Sequence, residues 1–301
     1  MQTYPQSVFG ASLFKMAGSK TADDWGTYVD LSGICYISVG MVIHCDERKK
    51  QGLFKAEDLI SETPDKTHPK PYFEGKDIIR WGIRRVRYLE YGTRRAPEMF
   101  RRPTFPQFYE VPEKLTSMDI SGGEARVAYD DSQLFHNHSA WSFVPWHYLR
   151  GVKNKSIRKT AKYKTEVKRG EAAPARLREE LEALSKQYDL KYLLALMNST
   201  FASKWLLARR RSKLHVYPDD WKTFPVPPIA AEQQQEFVKL VDVILAEIRK
   251  HGHPLPRESA DRVAQIEREI DERVAALYVV PLNDPTDSST EPVEADSIPF
   301  V

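Results

Sequence analysis

Apolar residues recur at intervals of three and four from Leu194 through Met197, Phe201 and Trp205 to Ala208. That spacing predicts a helix with one buried face. Asp189 stands at the N-cap position, and Arg209, Arg210 and Arg211 close the far end, where cations suit the helix dipole. Pro225, Pro227 and Pro228 then stiffen an extended approach to a second stripe, Phe237, Leu240, Val241, Ile244 and Ile248. Arg249, Lys250, His251, Gly252 and Pro254 supply the residues that end a helix in the order expected. A third stripe, from about Ser259, carries Val263, Ile266, Ile270, Val274 and Leu277. A short loop between two opposed stripes predicts an antiparallel helix hairpin. A further helix is expected from Pro174, with Leu177, Leu181 and Leu184 on one face.

Upstream the period changes from helical to alternating. Ile34 to Cys45 is β-branched and aromatic, which predicts a strand with a bulge at Gly40, and Trp25 and Tyr28 are the expected anchors before it. Ser61 to Pro71 is polar and reads as a loop. Ile83, Val86 and Tyr88 alternate with Arg84, Arg85 and Arg87, so a strand there should turn its apolar side to the core and its arginines to a face. Between Phe105 and Trp146 the short runs FYEV, RVAY and WSFV are separated by turn residues such as Ser121, Gly122, Gly123, Asp130 and Asp131. Short strands with frequent turns predict a compact, mostly antiparallel unit. The expected class is α+β: a β-rich unit over 1–150, a basic flexible loop over 151–173, a helical region over 174–280, and an acidic disordered tail over 281–301.

Charge alters this picture more than bulk composition does. The net charge of +3 conceals segregation: Lys76 to Arg102 holds nine bases against three acids, Arg150 to Arg169 nine against one, and Pro281 to Val301 five acids and no base. One basic block could be a solvated loop. Two blocks, with Arg209 to Arg211, point to a polyanion such as nucleic acid. Two cysteines, Cys35 and Cys45, argue for a reducing compartment rather than a disulfide scaffold. No apolar run reaches the length of a membrane span, and Met1 to Gly10 lacks a signal-peptide pattern, so the expected location is the cytoplasm.

Several strings resemble a known family. They are GKDIIRW at Gly75 to Trp81, YLLALMNSTFASKWL at Tyr192 to Leu206, YPDDWKTFPVPP at Tyr217 to Pro228, EQQQEFVKLVDVIL at Glu232 to Leu245 and IEREIDERVAALY at Ile266 to Tyr278. In this order they are similar to the C-terminal specificity region of TaqI-like adenine DNA methyltransferases and type IIG restriction–modification enzymes, and the proline-rich approach followed by Glu232, Gln233 and an apolar helix is also similar to type I specificity subunits. The resemblance spans about Gly33 to Tyr278. It implies a target recognition domain for double-stranded DNA, joined to a methyltransferase domain or subunit that binds S-adenosylmethionine and methylates a flipped adenine.

The chemistry of that partner is missing from this chain. The family's Asn/Asp-Pro-Pro-aromatic motif is absent, and the nearest string, Val226-Pro227-Pro228-Ile229, has an apolar residue at each end. Val8-Phe9-Gly10-Ala11-Ser12 has one glycine where a cofactor loop would have several. No catalytic residue and no cofactor are therefore expected in these 301 residues. One alternative is a subunit that docks a separate methyltransferase or nuclease through the helices from Ala231 to Val280. Another is a metal-dependent nuclease, because Asp65 followed by Glu74-Gly75-Lys76, or Asp220-Trp221-Lys222, fits a loose acid-x-Lys pattern. His44-Cys45 and His136-x-His138 lack a second pair at zinc spacing. His136, Asn137, His138 and Trp141 are alternatively polar readers or core-edge residues, and Phe201 and Trp205 share the core stripe.

A division of labour follows from side-chain chemistry. Arginine holds guanine through two acceptors, whereas lysine acts as a point charge on phosphate. Arg80, Arg84, Arg85, Arg87, Arg94 and Arg95 are the candidates for base or close backbone contacts, and Lys76 beside them belongs to the same DNA-binding set. Lys153, Lys155, Lys159, Lys162 and Lys164 are the candidates for phosphate, and Arg209, Arg210 and Arg211 complete the DNA-binding set.

Overall fold

The computed structural model describes residues 28–43, 54–96, 105–118, 124–167, 176–209 and 216–278. Trp25, His44, Cys45, Ser121 to Gly123, Pro174, Arg210, Arg211 and the acidic tail lie outside the described residues. The chain opens with β1 (Val29–Asp30), α1 (Leu31–Ile34) and β2 (Cys35–Val39), followed by β3 (Ile60–Ser61), β4 (Lys70–Phe73) and β5 (Arg87–Leu89). Next come β6 (Lys114–Met118), β7 (Val127–Asp130), β8 (Phe135–His136) and β9 (Ala140–Pro145). The helical part holds α2 (Lys155–Thr160), α3 (Arg178–Ser185), α4 (Leu190–Met197), α5 (Thr200–Arg209) and α6 (Pro218–Lys222). After β10 (Pro225–Val226), it ends in α7 (Ala231–His251) and α8 (Arg257–Leu277). The class is α+β.

Two sheets form the β part, in the orders β2–β9–β6–β7 and β3–β5–β4–β8, and β1 pairs separately with β10. All pairings are antiparallel except β4 with β8. All six residues of β9 are buried, which is why the WSFV run lacks alternation. The FYEV run differs from the expected strand: its first residue ends a helical turn over Pro106–Phe108, and Phe108, Tyr109 and Val111 fill a second core with Tyr72, Phe135 and Trp146. The strand expected to run to Cys45 ends at Val39. A Cβ at Gly40 would lie 2.1 Å from the carbonyl oxygen of Asn137, so only glycine lets the two backbones approach there.

The larger core lies between the first sheet and the helices. Every residue of α4 except Lys191 is buried, and the carboxylate of Asp189 caps it by accepting from Lys191 N at 2.8 Å. The single helix expected over this stretch is two. It breaks after Met197 because the Asn198 amide turns back to the sheet, accepting from Val127 N at 2.9 Å and donating to Val127 O at 2.8 Å. Phe201 stacks on Tyr278 and Trp205 meets Phe224 edge-on, which places both in the core.

The C-terminal hairpin matches its pattern. Gly252, at φ +68°, ends α7 by donating to Ile248 O at 2.8 Å. Arg262 pairs with Glu247 at 3.0 Å and Arg273 with Glu236 at 3.8 Å, an order that requires antiparallel helices. Helix α8 begins at Arg257, a little before Ser259. The lysine-rich stretch expected as loop contains α2, whose N-cap Asn154 accepts from Ser156 N at 2.7 Å.

Candidate nucleic-acid interface

The basic segment from Lys76 to Arg95 is built on a small β-hairpin. Ile78 bridges Ile83, Ile79 N donates to Gly82 O at 3.0 Å, and Arg84 N donates to Asp77 O at 2.9 Å. Trp81 sits between them with φ +73°, a backbone conformation that a bulky residue adopts only when its surroundings impose it. Those surroundings are visible: Trp81 N donates to Val127 O at 2.9 Å, and its indole Nε1 donates to the Glu267 carboxylate at 2.6 Å.

The expected alternation along 83–88 is corrected by this arrangement. Val86 is 39 % exposed, whereas Arg87 is 9 % exposed. A buried guanidinium must be neutralised, and Arg87 meets Glu74 at 3.0 Å and Asp77 at 3.2 Å. Burial alone would raise the Glu74 carboxyl, but hydrogen bonds from Lys76 and Arg87 outweigh it and hold that group below the usual carboxylate range. The short extent of β5 leaves Arg84 and Arg85 in the connection before it rather than on a strand face.

The remaining sequence candidates divide by partner. Lys76 pairs with Glu74 at 2.7 Å, Arg85 with Glu62 at 2.5 Å, and Arg95 with Glu90 at 2.6 Å. Arg80 donates to Asn198 O at 2.7 Å and pairs with Glu267 at 3.3 Å, so it ties the hairpin to the helical part. Arg84, Arg94, Lys153, Lys155, Lys159 and Lys164 are exposed, and no acid among the described residues pairs with their side chains. Lys162 is half-buried, and Arg209 lies over the Trp205 ring at 5.5 Å.

Two hollows set a cation from the sequence-derived set, Arg84 or Lys153, beside one that sequence patterns did not single out, Arg249 or Arg150. A cleft of about 280 Å³ opens between the 81–86 segment, the chain from Tyr129 to Leu134 and the end of α7, lined by Arg84 and Arg249 together with Asp130 and Asp131 over Ile83 and Val86. A shallower one of about 510 Å³ brings Arg150 and Lys153 beside Phe105 and Gln107. Arg249 also pairs with Asp131. Its place was hidden because in sequence it reads only as a helix-ending cation. Glu267 and Asn198, which fix the hairpin, likewise read as ordinary helix residues.

The other motifs have structural occupations. His136 is fully buried, its Nε2 at 2.7 Å from Ser142 Oγ and its Nδ1 at 3.1 Å from Asn137 O, while His138 is exposed. Burial pushes the His136 pKa down to about 3, which keeps the ring neutral. Burial likewise raises the Cys35 thiol, so it is a core residue rather than a reactive thiolate. Asp65 accepts from Thr67 N and His68 N, both at 2.7 Å, and Asp220 accepts from Tyr217 N at 2.7 Å. No group of three or more His, Cys, Asp or Glu able to hold a metal occurs among the described residues.

No family model and no curated protein matches this chain. Among solved structures it is similar to the HsdS subunit from Thermoanaerobacter tengcongensis, at 12% identity and TM-score 0.40, over 89% of this chain and 49% of that one. It is also similar to the type IIL restriction–modification enzyme MmeI solved with DNA, at 11% identity and TM-score 0.45, over 83% of this chain and 33% of that one. A type I restriction–modification system chain matches at 13% identity and TM-score 0.37, over 83% of this chain and 45% of that one. The chain thus spans a third to a half of the length of these proteins. No described helix is long and apolar enough to cross a membrane.

Proposed function

We propose that this chain binds double-stranded DNA sequence-specifically, as the target recognition part of a restriction–modification methyltransferase. In this reading it recognises and does not react: S-adenosylmethionine and the adenine-methylating groups belong to an associated catalytic domain or subunit. The observation that supports it most is the set of exposed cations that no acid among the described residues pairs with, Arg84, Arg94, Lys153, Lys155, Lys159 and Lys164, against a background in which neighbouring arginines are neutralised. A fold that pairs some cations of one basic block internally and presents others to solvent has charge in place for phosphates. The motif order from Gly75 to Tyr278 supplies the restriction–modification context.

The alternative of a docking module draws less support. Among the described residues the large apolar side chains left exposed are Val86, Leu207 and Tyr217, and none lies on α7 or α8. A hairpin that docks by hydrophobic burial would present a stripe there.

The test is to incubate the full chain with duplexes randomised at their centre and sequence the bound fraction. An enriched motif is expected. Arg84→Ala should then blur that motif by about tenfold in discrimination, whereas Lys159→Ala should weaken all duplexes alike. Equal loss of discrimination in both variants would refute the division between readers and phosphate holders, and no enrichment with wild-type protein would refute the sequence-specific reading.

A further inference from the structure

Side chains of α8 hold the arginine hairpin directly. Glu267 receives the Trp81 indole at 2.6 Å and lies 3.3 Å from the Arg80 guanidinium. One helical turn on, Asp271 accepts from Thr200 N at 2.7 Å and from Thr200 Oγ1 at 2.6 Å, which fixes the start of α5 just past the Asn198 break. Arg80 also donates to Asn198 O at 2.7 Å. Two carboxylates of one helix therefore hold two ends of a single junction. The residue they hold at one end, Trp81, has a backbone conformation that costs energy unless it is imposed. Three residues beyond Trp81 stands Arg84, exposed and without an acid partner among the described residues. A Cβ at Gly82 would meet Ile248 Cγ2 at 3.4 Å, so the hairpin also rests against α7.

We propose that Glu267 is a positioning residue: by holding Trp81 Nε1 and the Arg80 guanidinium it fixes the 79–82 turn, and through it the direction in which Arg84 leaves the protein. Discrimination between DNA sequences then depends on α8, a helix whose own residues need not touch the duplex. Bidentate reading of a base tolerates little displacement, whereas a phosphate contact accommodates a mobile cation. Loosening the turn should therefore cost discrimination before it costs affinity. This inference rests on the DNA-recognition reading for its consequence, but not for its mechanics.

The experiment compares the full wild-type chain with Glu267→Leu, Glu267→Gln, and Arg268→Ala as a control for charge on an exposed position of the same helix. Each is checked for cooperative melting, then assayed against the motif enriched from randomised duplexes and against a scrambled duplex. Glu267→Leu should lose about tenfold in the ratio of the two affinities while its affinity for the scrambled duplex stays within about twofold. Glu267→Gln, which can still accept from the indole, should recover most of that ratio. In the double variant Glu267→Leu with Arg84→Ala, the loss should not exceed that of the larger single change, because one residue acts through the other. Unaltered discrimination in Glu267→Leu, an equal fall for both duplexes, or additive losses would overturn the proposal. If Glu267→Leu does not fold, Glu267→Gln and the shortened Glu267→Asp carry the comparison, and Asp should be the worse of the two. Amide hydrogen exchange at Gly82 to Arg85, expected to quicken by about tenfold in Glu267→Leu, decides the mechanics without DNA. If the wild-type chain binds no duplex, the functional reading falls, and unchanged exchange would sink the positioning role separately.

Discussion

Raising the salt concentration weakens any complex held by phosphate contacts, because each contact releases a condensed counterion whose gain in freedom shrinks as bulk salt rises. The structure sets the size of the effect. Lys76, Arg80, Arg85, Arg87 and Arg95 are paired internally and should contribute little, while Arg84, Arg94, Lys153, Lys155, Lys159 and Lys164 are exposed without an acid partner among the described residues. If these six each meet one phosphate, the logarithm of the affinity should fall with the logarithm of salt with a slope of about 5, at about 0.9 per phosphate. Between about 50 and 200 mM salt that is a loss of about three decades. Fluorescence anisotropy of an end-labelled duplex, titrated with the full chain at several potassium chloride concentrations, reads this slope directly. Lys159→Ala should lower it by about one unit, while Arg85→Ala, whose guanidinium is already paired with Glu62, should leave it nearly unchanged. A slope near zero would refute phosphate contact altogether. Equal effects of the two substitutions would refute the sorting of cations by their internal partners.

Two further predictions concern the scaffold. His136 is buried with a pKa near 3 against about 6.5 in the unfolded chain, so the unfolded state takes up the proton first as pH falls. Stability is therefore full above about pH 6.5 and is lost toward 3, by about 2.5 kcal/mol between pH 7 and 4.5. Urea unfolding at those two pH values should show that difference between the wild-type chain and His136→Gln, and parallel losses would contradict it. Asn198→Ala removes both side-chain hydrogen bonds to Val127 and leaves its buried N–H without that acceptor, which should cost about 1–3 kcal/mol in urea unfolding. A change under about 0.5 kcal/mol would mean that water or the backbone replaces the amide.

The helical half was legible because its apolar spacing, caps and stop residues all agree, from Asp189 to Gly252. The break at Asn198 was not, since the stripe Met197, Phe201, Trp205 continues across it; what ends the helix is an amide partner far away in sequence. The arginine segment misled for the same reason. Ile83, Val86 and Tyr88 alternate with arginines as a half-buried strand would, yet Arg87 is the member turned inward, because Glu74 and Asp77 wait beneath it. Ion pairs across ten or more residues leave no periodic mark. Basic blocks were therefore visible as blocks, but which cations remain exposed without an acid partner is a property of the folded chain.

The Asn198 amide has a consequence outside stability. Strand β7 is the last in the order β2–β9–β6–β7, so one side of it would otherwise offer free backbone groups to any strand that came by. Instead Val127 N is taken by Asn198, Val127 O by Asn198 and by Trp81 N, and Tyr129 N donates to Trp81 O at 3.3 Å. A single side chain and one constrained residue thus cover the β7 edge of the sheet at Val127 and Tyr129. The same contacts that hold the arginine hairpin in place deny foreign chains a template on which to aggregate.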